Sequence, residues 1–104
     1  MSTRKKGKAS EAIESLVGKP LSLGSLIESI RLGEEMSQVE FSKKLGISRS
    51  HLCDIEKGRK TVSVGRAARF ANILGYSEAQ FVRLALQALV HESGLKLKVR
   101  VDAA

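Results

Sequence analysis

Apolar residues recur at helical spacing in five stretches of this chain, each opened by a serine and most closed by a glycine. A serine hydroxyl just before a helix accepts from a backbone N–H that would otherwise be unpaired, and glycine takes the left-handed conformation that ends a helix. Ser37 with Glu40 forms a capping box, so a helix begins at Gln38. Phe41, Ser42 and Leu45 share one face of it, and Gly46 stops it. Ile47 plugs the corner, and Ser48 caps a second short helix that carries Leu52 and Ile55 inward until Gly58. A turn of about three or four residues cannot hold two helices antiparallel, so they cross steeply, with small Ser42 at the crossing.

The remaining stretches are placed around this pair. Ser25 with Glu28 makes a second box before a helix with Leu26, Ile27 and Ile30 inward, packed behind the pair. Ser63 caps a helix with a narrow stripe of Val64, Ala67, Ala68, Ala71 and Leu74, ended by Gly75. Ser77 with Gln80 opens the longest helix, from Glu78 to about Glu92, whose apolar residues from Phe81 to Val90 cover roughly 240° of arc. Arg83, Gln87 and His91, with Gln80, are left to face water. A surface helix needs an apolar stripe of about 100°, so Val82, Leu86, Leu89 and Val90 are surplus. A second copy of the chain is the economical cover.

Beyond Gly94, residues 95–101 alternate strictly between apolar and basic, which predicts a short C-terminal β-strand. Such a strand must pair with something: a symmetry mate, the segment Leu21, Ser22, Leu23, or a partner protein by β-augmentation. Leu97 and Val99 are accordingly added to the dimer face. Residues 1–20, with Arg4, Lys5, Lys6 and Lys8, read as a flexible basic arm with a possible short helix at residues 10–17 before Gly18, Lys19 and Pro20. The expected architecture is all-α: five helices, the last one long, followed by the short strand. Residues 21–76 form the central domain and 77–104 the dimerisation part.

A chain of 104 residues holds one small core, and 18 Lys and Arg against 11 Asp and Glu leave a net charge of +7. That charge suits a polyanion, although a membrane surface or ribosomal RNA would suit it equally. The single cysteine makes no internal disulfide, and no apolar run approaches the roughly 18 residues that span a bilayer. With no secretory-type start, the expected location is the cytoplasm, at the bacterial nucleoid. His51 and His91 with lone Cys53 make no metal set, and no cofactor is implied. Gly-rich phosphate loops, nucleophile elbows and paired carboxylates are missing from the pattern, which gives an enzyme no support. Few aromatics are available for base stacking, which disfavours an RNA-binding module.

The second helix of the central pair carries the informative chemistry. Leu52, Ile55 and Glu56 share its inner arc, which leaves Ser50, His51, Cys53, Asp54 and Lys57 facing outward. An α-helix fits the DNA major groove, and polar residues near its start, from Ser48 on, reach base edges there. Cys53 reads as a small residue that fits the groove rather than a redox sensor. Asp54 could accept from cytosine N4, but its charge is unfavourable near phosphates, which favours a pair with a nearby Arg or Lys.

The run Gln38, Leu45, Gly46, Ile47, Ser48, Leu52, Ile55, Glu56, Lys57, Gly58 and Arg59, preceded by Ile30, Arg31, Met36 and Ser37, resembles the Xre-type (lambda-repressor-like or Cro-like) helix-turn-helix family of bacterial and phage regulators. The resemblance covers roughly residues 23 to 76. It departs from the family at Glu35, where glycine is usual, and in residues 61–64, which lack the common proline. It implies a lambda-repressor-like fold and an ion pair between Arg31 and Glu56. Burial of Glu56 independently calls for a cationic partner. It implies further that Gln38 braces the reading helix and touches phosphate, that Arg49, Ser50 and His51 face the bases, and that Arg59, Lys60 and Thr61 lie against the DNA backbone.

These readings lead to a homodimeric repressor of an operator in double-stranded DNA. The alternative is an antitoxin that neutralises a toxin protein and represses its own operon, since small proteins resembling this family with an added C-terminal element are often antitoxins.

Overall fold

A computed structural model describes residues 21–104, so the arm and the possible short helix in residues 1–20 lie outside the described residues. The described chain contains α1 (Leu23–Gly33), α2 (Gln38–Leu45), α3 (Arg49–Glu56), α4 (Val64–Leu74) and α5 (Glu78–Glu92). It falls into two compact units, one running through Arg59 and the other from Lys60 to Ala104.

In the first unit, α1 and α2 both pack on α3. Leu26, Ile27, Phe41, Leu45, Leu52 and Ile55 are its fully buried side chains. α1 begins earlier than the expected box at Ser25 and Glu28. Ser22 is the N-cap: its hydroxyl accepts from the Ser25 N–H at 3.1 Å, and the Ser25 hydroxyl accepts from the Ser22 N–H at 3.2 Å. Leu23 is therefore helical and not part of a strand, and Gly24 falls in the first turn. A Cβ on Gly24 would run into the backbone carbonyl of Ile55. The missing side chain thus lets α1 lie directly against α3.

α1 ends in a chain reversal closed by Met36 N–H donating to the Arg31 carbonyl at 3.2 Å and Glu35 N–H to the Leu32 carbonyl at 3.1 Å. The residue that makes the reversal is Glu35, at φ 57°, the one non-glycine among the described residues with positive φ. A left-handed L-residue costs roughly 1–2 kcal/mol, and glycine gives back about 0.5–1 kcal/mol in unfolded-state entropy. Glu35→Gly should therefore raise the unfolding free energy by about 0.5–1 kcal/mol. Chemical denaturation measures this, and an unmoved or lower midpoint would contradict it.

In the second unit α4 packs along α5. The inward face of α4 is Ala67, Phe70, Ala71 and Leu74. Phe70 replaces two members of the expected stripe: Val64 is 37% exposed and Ala68 half-buried. The spacing explains it, since positions 67, 70, 71 and 74 form one i, i+3, i+4, i+7 row, whereas Val64 stands in the first turn. Phe81, Leu84 and Ala85 answer from α5, and Tyr76 stacks at a tilt on Phe81 with ring centroids 5.9 Å apart.

The predicted C-terminal strand does not form: residues 95–101 carry no ladder. A side chain takes the partner strand's place. The Gln87 amide on α5 donates to the Leu97 carbonyl at 2.8 Å and accepts from the Val99 N–H at 2.8 Å, the two bonds a neighbouring backbone would have supplied. Gln87, expected to face water, is thus the anchor of the tail.

Candidate nucleic-acid interface

α2 and α3 are joined by a turn in which Gly46 is left-handed, at φ 76°, and Ile47 N–H donates to the Ser42 carbonyl at 3.0 Å. Ser42 is buried at the crossing, as its size requires, and its hydroxyl is satisfied by the Val39 carbonyl at 2.9 Å. The Ser37–Glu40 box opens α2, with Glu40 accepting from the Ser37 N–H at 2.9 Å. The backbone and then the hydroxyl of Ser37 hold the Glu40 carboxyl below its ordinary value. That contribution is therefore present above the usual carboxylate range and lost as pH falls through the lowered value. Ser48 caps α3 by accepting from the His51 N–H at 3.0 Å.

Behind α3 lies a chain of polar contacts. Glu56 keeps only 2% of its side chain exposed and receives Arg31 through two bonds, Nε to Oε2 at 2.8 Å and Nη2 to Oε1 at 3.1 Å. Arg31 also donates from Nη1 to the Met36 carbonyl at 3.1 Å, tying the turn after α1 to the same carboxylate. The hydrogen bond to Glu56 is the main reason the Arg31 guanidinium holds its proton more tightly than usual. Gln38 then donates from Nε2 to Glu56 Oε1 at 3.0 Å and accepts on its own Oε1 from Arg49 Nη1 at 3.3 Å. One amide thereby connects the last residue of α3 with the first.

The far end of α3 is closed by Gly58 at φ 77°. Its N–H donates to the Ile55 carbonyl at 3.1 Å, and the Arg59 N–H donates to the Asp54 carbonyl at 2.8 Å. This is the paired Schellman reversal, and it brings Arg59 back beside the last turn of the helix. There Arg59 Nε donates to Asp54 Oδ1 at 2.8 Å and Nη2 to Cys53 Sγ at 3.5 Å. The Asp54 contact, ahead of the Cys53 one, raises the affinity of Arg59 for its proton. Asp54 has the cationic partner that its position called for.

A helix-turn-helix family profile matches residues 27–81, more than half of the chain. The chain belongs to this family of DNA-binding regulators. The helix-turn-helix protein is 39% identical over 67 residues to the ImmF control region 10 kDa protein of Bacillus phage phi105, an alignment covering 58% of this chain and 74% of the relative. It is 32% identical over 62 residues to the immunity repressor protein of the same phage, covering 60% of this chain and 43% of the relative. The chain therefore spans less than half the length of that repressor. No solved structure matches it significantly.

On the helix-turn-helix, the residues singled out in the sequence divide by exposure. Ser48, Arg49, Ser50 and Lys57 are exposed, while His51, Cys53 and Asp54 are half-buried along the same helix. Gln38 is drawn back towards Glu56. Lys60 and Thr61 are exposed at the start of the second unit. There Val82, Leu86, Val90 and Val99 are half-buried, and Leu89 and Leu97 are exposed at 48% and 61%. No helix among the described residues is long and apolar enough to cross a membrane. The sequence reading missed Gly24 and the Met36 carbonyl. Gly24 was detectable through Ser22, which pairs with Ser25 at the same i, i+3 spacing as the other capping boxes. A backbone acceptor such as the Met36 carbonyl leaves no mark in side-chain identity.

Proposed function

We propose that this chain is a repressor that binds an operator in double-stranded DNA as a homodimer, with α3 in the major groove. The observation that carries the reading is the leading end of α3: Arg49 and Ser50 are exposed while the Glu56, Arg31 and Gln38 contacts brace the helix from behind. A short rod with a polar outer face and a fixed inner face is what major-groove readout requires. Arg49, Ser50 and His51 address base edges, with Cys53 and Lys57 beside them. Gln38, Lys60 and Thr61 address phosphates and set the register. Val82, Leu86, Leu89, Val90, Leu97 and Val99 form the face between two copies, which acts in the cytoplasm. The similarity to a phage immunity repressor supports repression as the regulatory sense.

Selection from random duplex DNA at fixed salt tests the reading. The wild-type chain should recover two inverted half-sites about 10 bp apart, as a twofold dimer reads them. Arg49→Ala should flatten preference at one position per half-site by about tenfold, while its melting curve stays close to wild type. Recovery of the same motif by Arg49→Ala would remove Arg49 from the reading set, and no motif from wild type would sink the proposal.

A further inference from the structure

The family resemblance implies that Arg59, with Lys60 and Thr61, lies against the DNA backbone, but the geometry of its side chain suits another ligand. Its Nε–Nη2 edge is turned inward, onto Asp54 Oδ1 and Cys53 Sγ. A guanidinium has five N–H donors in a fixed fork, so the Nη1–Nη2 end is left with two parallel donors directed away from that edge. The side chain is 58% exposed against 25% for Asp54, so the cation is the outer member of the pair. Both lie on the outward side of α3, where Cys53 and Asp54 stand between the buried Leu52 and Ile55.

The charge balance narrows the ligand. An arginine neutralised by an adjacent carboxylate gains little from a phosphate, whose attraction rests on an uncompensated cation and counterion release. The carboxylate also repels the phosphate. Neither objection applies to an uncharged acceptor edge. Guanine presents O6 and N7 side by side in the major groove, matched to two parallel N–H donors.

We infer that Arg59 is a base-reading residue for a guanine in the major groove, and that Asp54 and the Gly58 reversal are what position it. The inference rests on the proposal that α3 reads DNA. Asp54 then contributes to specificity without touching the base. It holds the fork in one orientation before binding, which reduces the side-chain entropy lost when the complex forms.

The test is selection from random duplex DNA with the full chain, combined with affinity measured across salt concentrations. Arg59→Lys keeps the charge and loses the fork. It should reduce guanine preference about tenfold at one position per half-site, distinct from the position sensitive to Arg49→Ala, and leave the salt slope unchanged. Asp54→Asn should weaken preference at that same position. An unchanged motif from Arg59→Lys would overturn the inference. So would an Arg59→Ala protein that binds all sequences more weakly alike, with its log–log salt slope reduced by about one, the mark of a phosphate contact. A wild-type motif insensitive to Arg59 sinks this inference alone, whereas no wild-type motif sinks the DNA-reading proposal beneath it.

Discussion

Glu56→Gln is expected to lower the melting temperature by roughly 10–20 °C, the equivalent of about 2–3 kcal/mol in a domain of this size. The wild-type carboxylate offers one oxygen to Arg31 Nε and the other jointly to Arg31 Nη2 and Gln38 Nε2. Glutamine is nearly the same shape but has one oxygen and one NH2. Whichever way it turns, a donor faces a donor, and the Arg31 charge, at 12% side-chain exposure, loses its counterion. Removing one partner of a fully buried pair costs about 3–5 kcal/mol, and the water that still reaches Arg31 accounts for the lower figure used here. Replacing both residues together, as Arg31→Met with Glu56→Leu, should restore much of the stability, because the desolvation of both charges disappears with them. Thermal melts followed by circular dichroism decide the matter. A Glu56→Gln protein that melts with wild type would mean the pair contributes no stability.

Gly24→Ala should destabilise by about 2 kcal/mol, although alanine is the better helix former by about 1 kcal/mol. The added methyl would collide with the Ile55 carbonyl oxygen, a backbone atom in the last turn of α3 that cannot rotate aside. α1 and α3 must separate, or Ile55 must shift and disturb the hydrogen bonding that ends the helix. Gly33→Ala is the internal control. A Cβ on Gly33 meets nothing within 4 Å, so the same substitution there should stabilise by about 0.5–1 kcal/mol. The opposite signs of these two changes, measured by chemical denaturation, separate close approach from helix propensity. Equal signs would show that α1 and α3 are not packed at Gly24 as described.

Much of the helix-turn-helix was readable from residues a few positions apart. Ser37 with Glu40, Gly46, Ser48 and Gly58 punctuate α2 and α3 where the structure ends them, because each acts through hydrogen bonds within a single turn. The ion pair of Arg31 with Glu56 was readable differently: a carboxylate on the same arc as Leu52 and Ile55 had to be paired, and the family resemblance named the partner. The tail was misread because alternation reports only that a backbone could pair. It says nothing of what will be there, and here Gln87 supplies the bonds without a second strand. At Glu35 the resemblance marked an unusual residue, and the structure adds that the position keeps a left-handed backbone despite it.

The order of helices, their caps and the polar outer face of α3 follow from the chain's local pattern, since propensity and capping act over three or four residues. Contacts between distant residues depend on how the helices come to rest against one another. Gly24 meets Ile55, and Gln38 links Glu56 to Arg49, only after α1, α2 and α3 have packed. The aim of Arg59 stands between the two. The reversal at Gly58 is local and marked by the glycine, but that it folds the chain back along α3 and sets the guanidinium against both Asp54 and Cys53 is visible only in three dimensions.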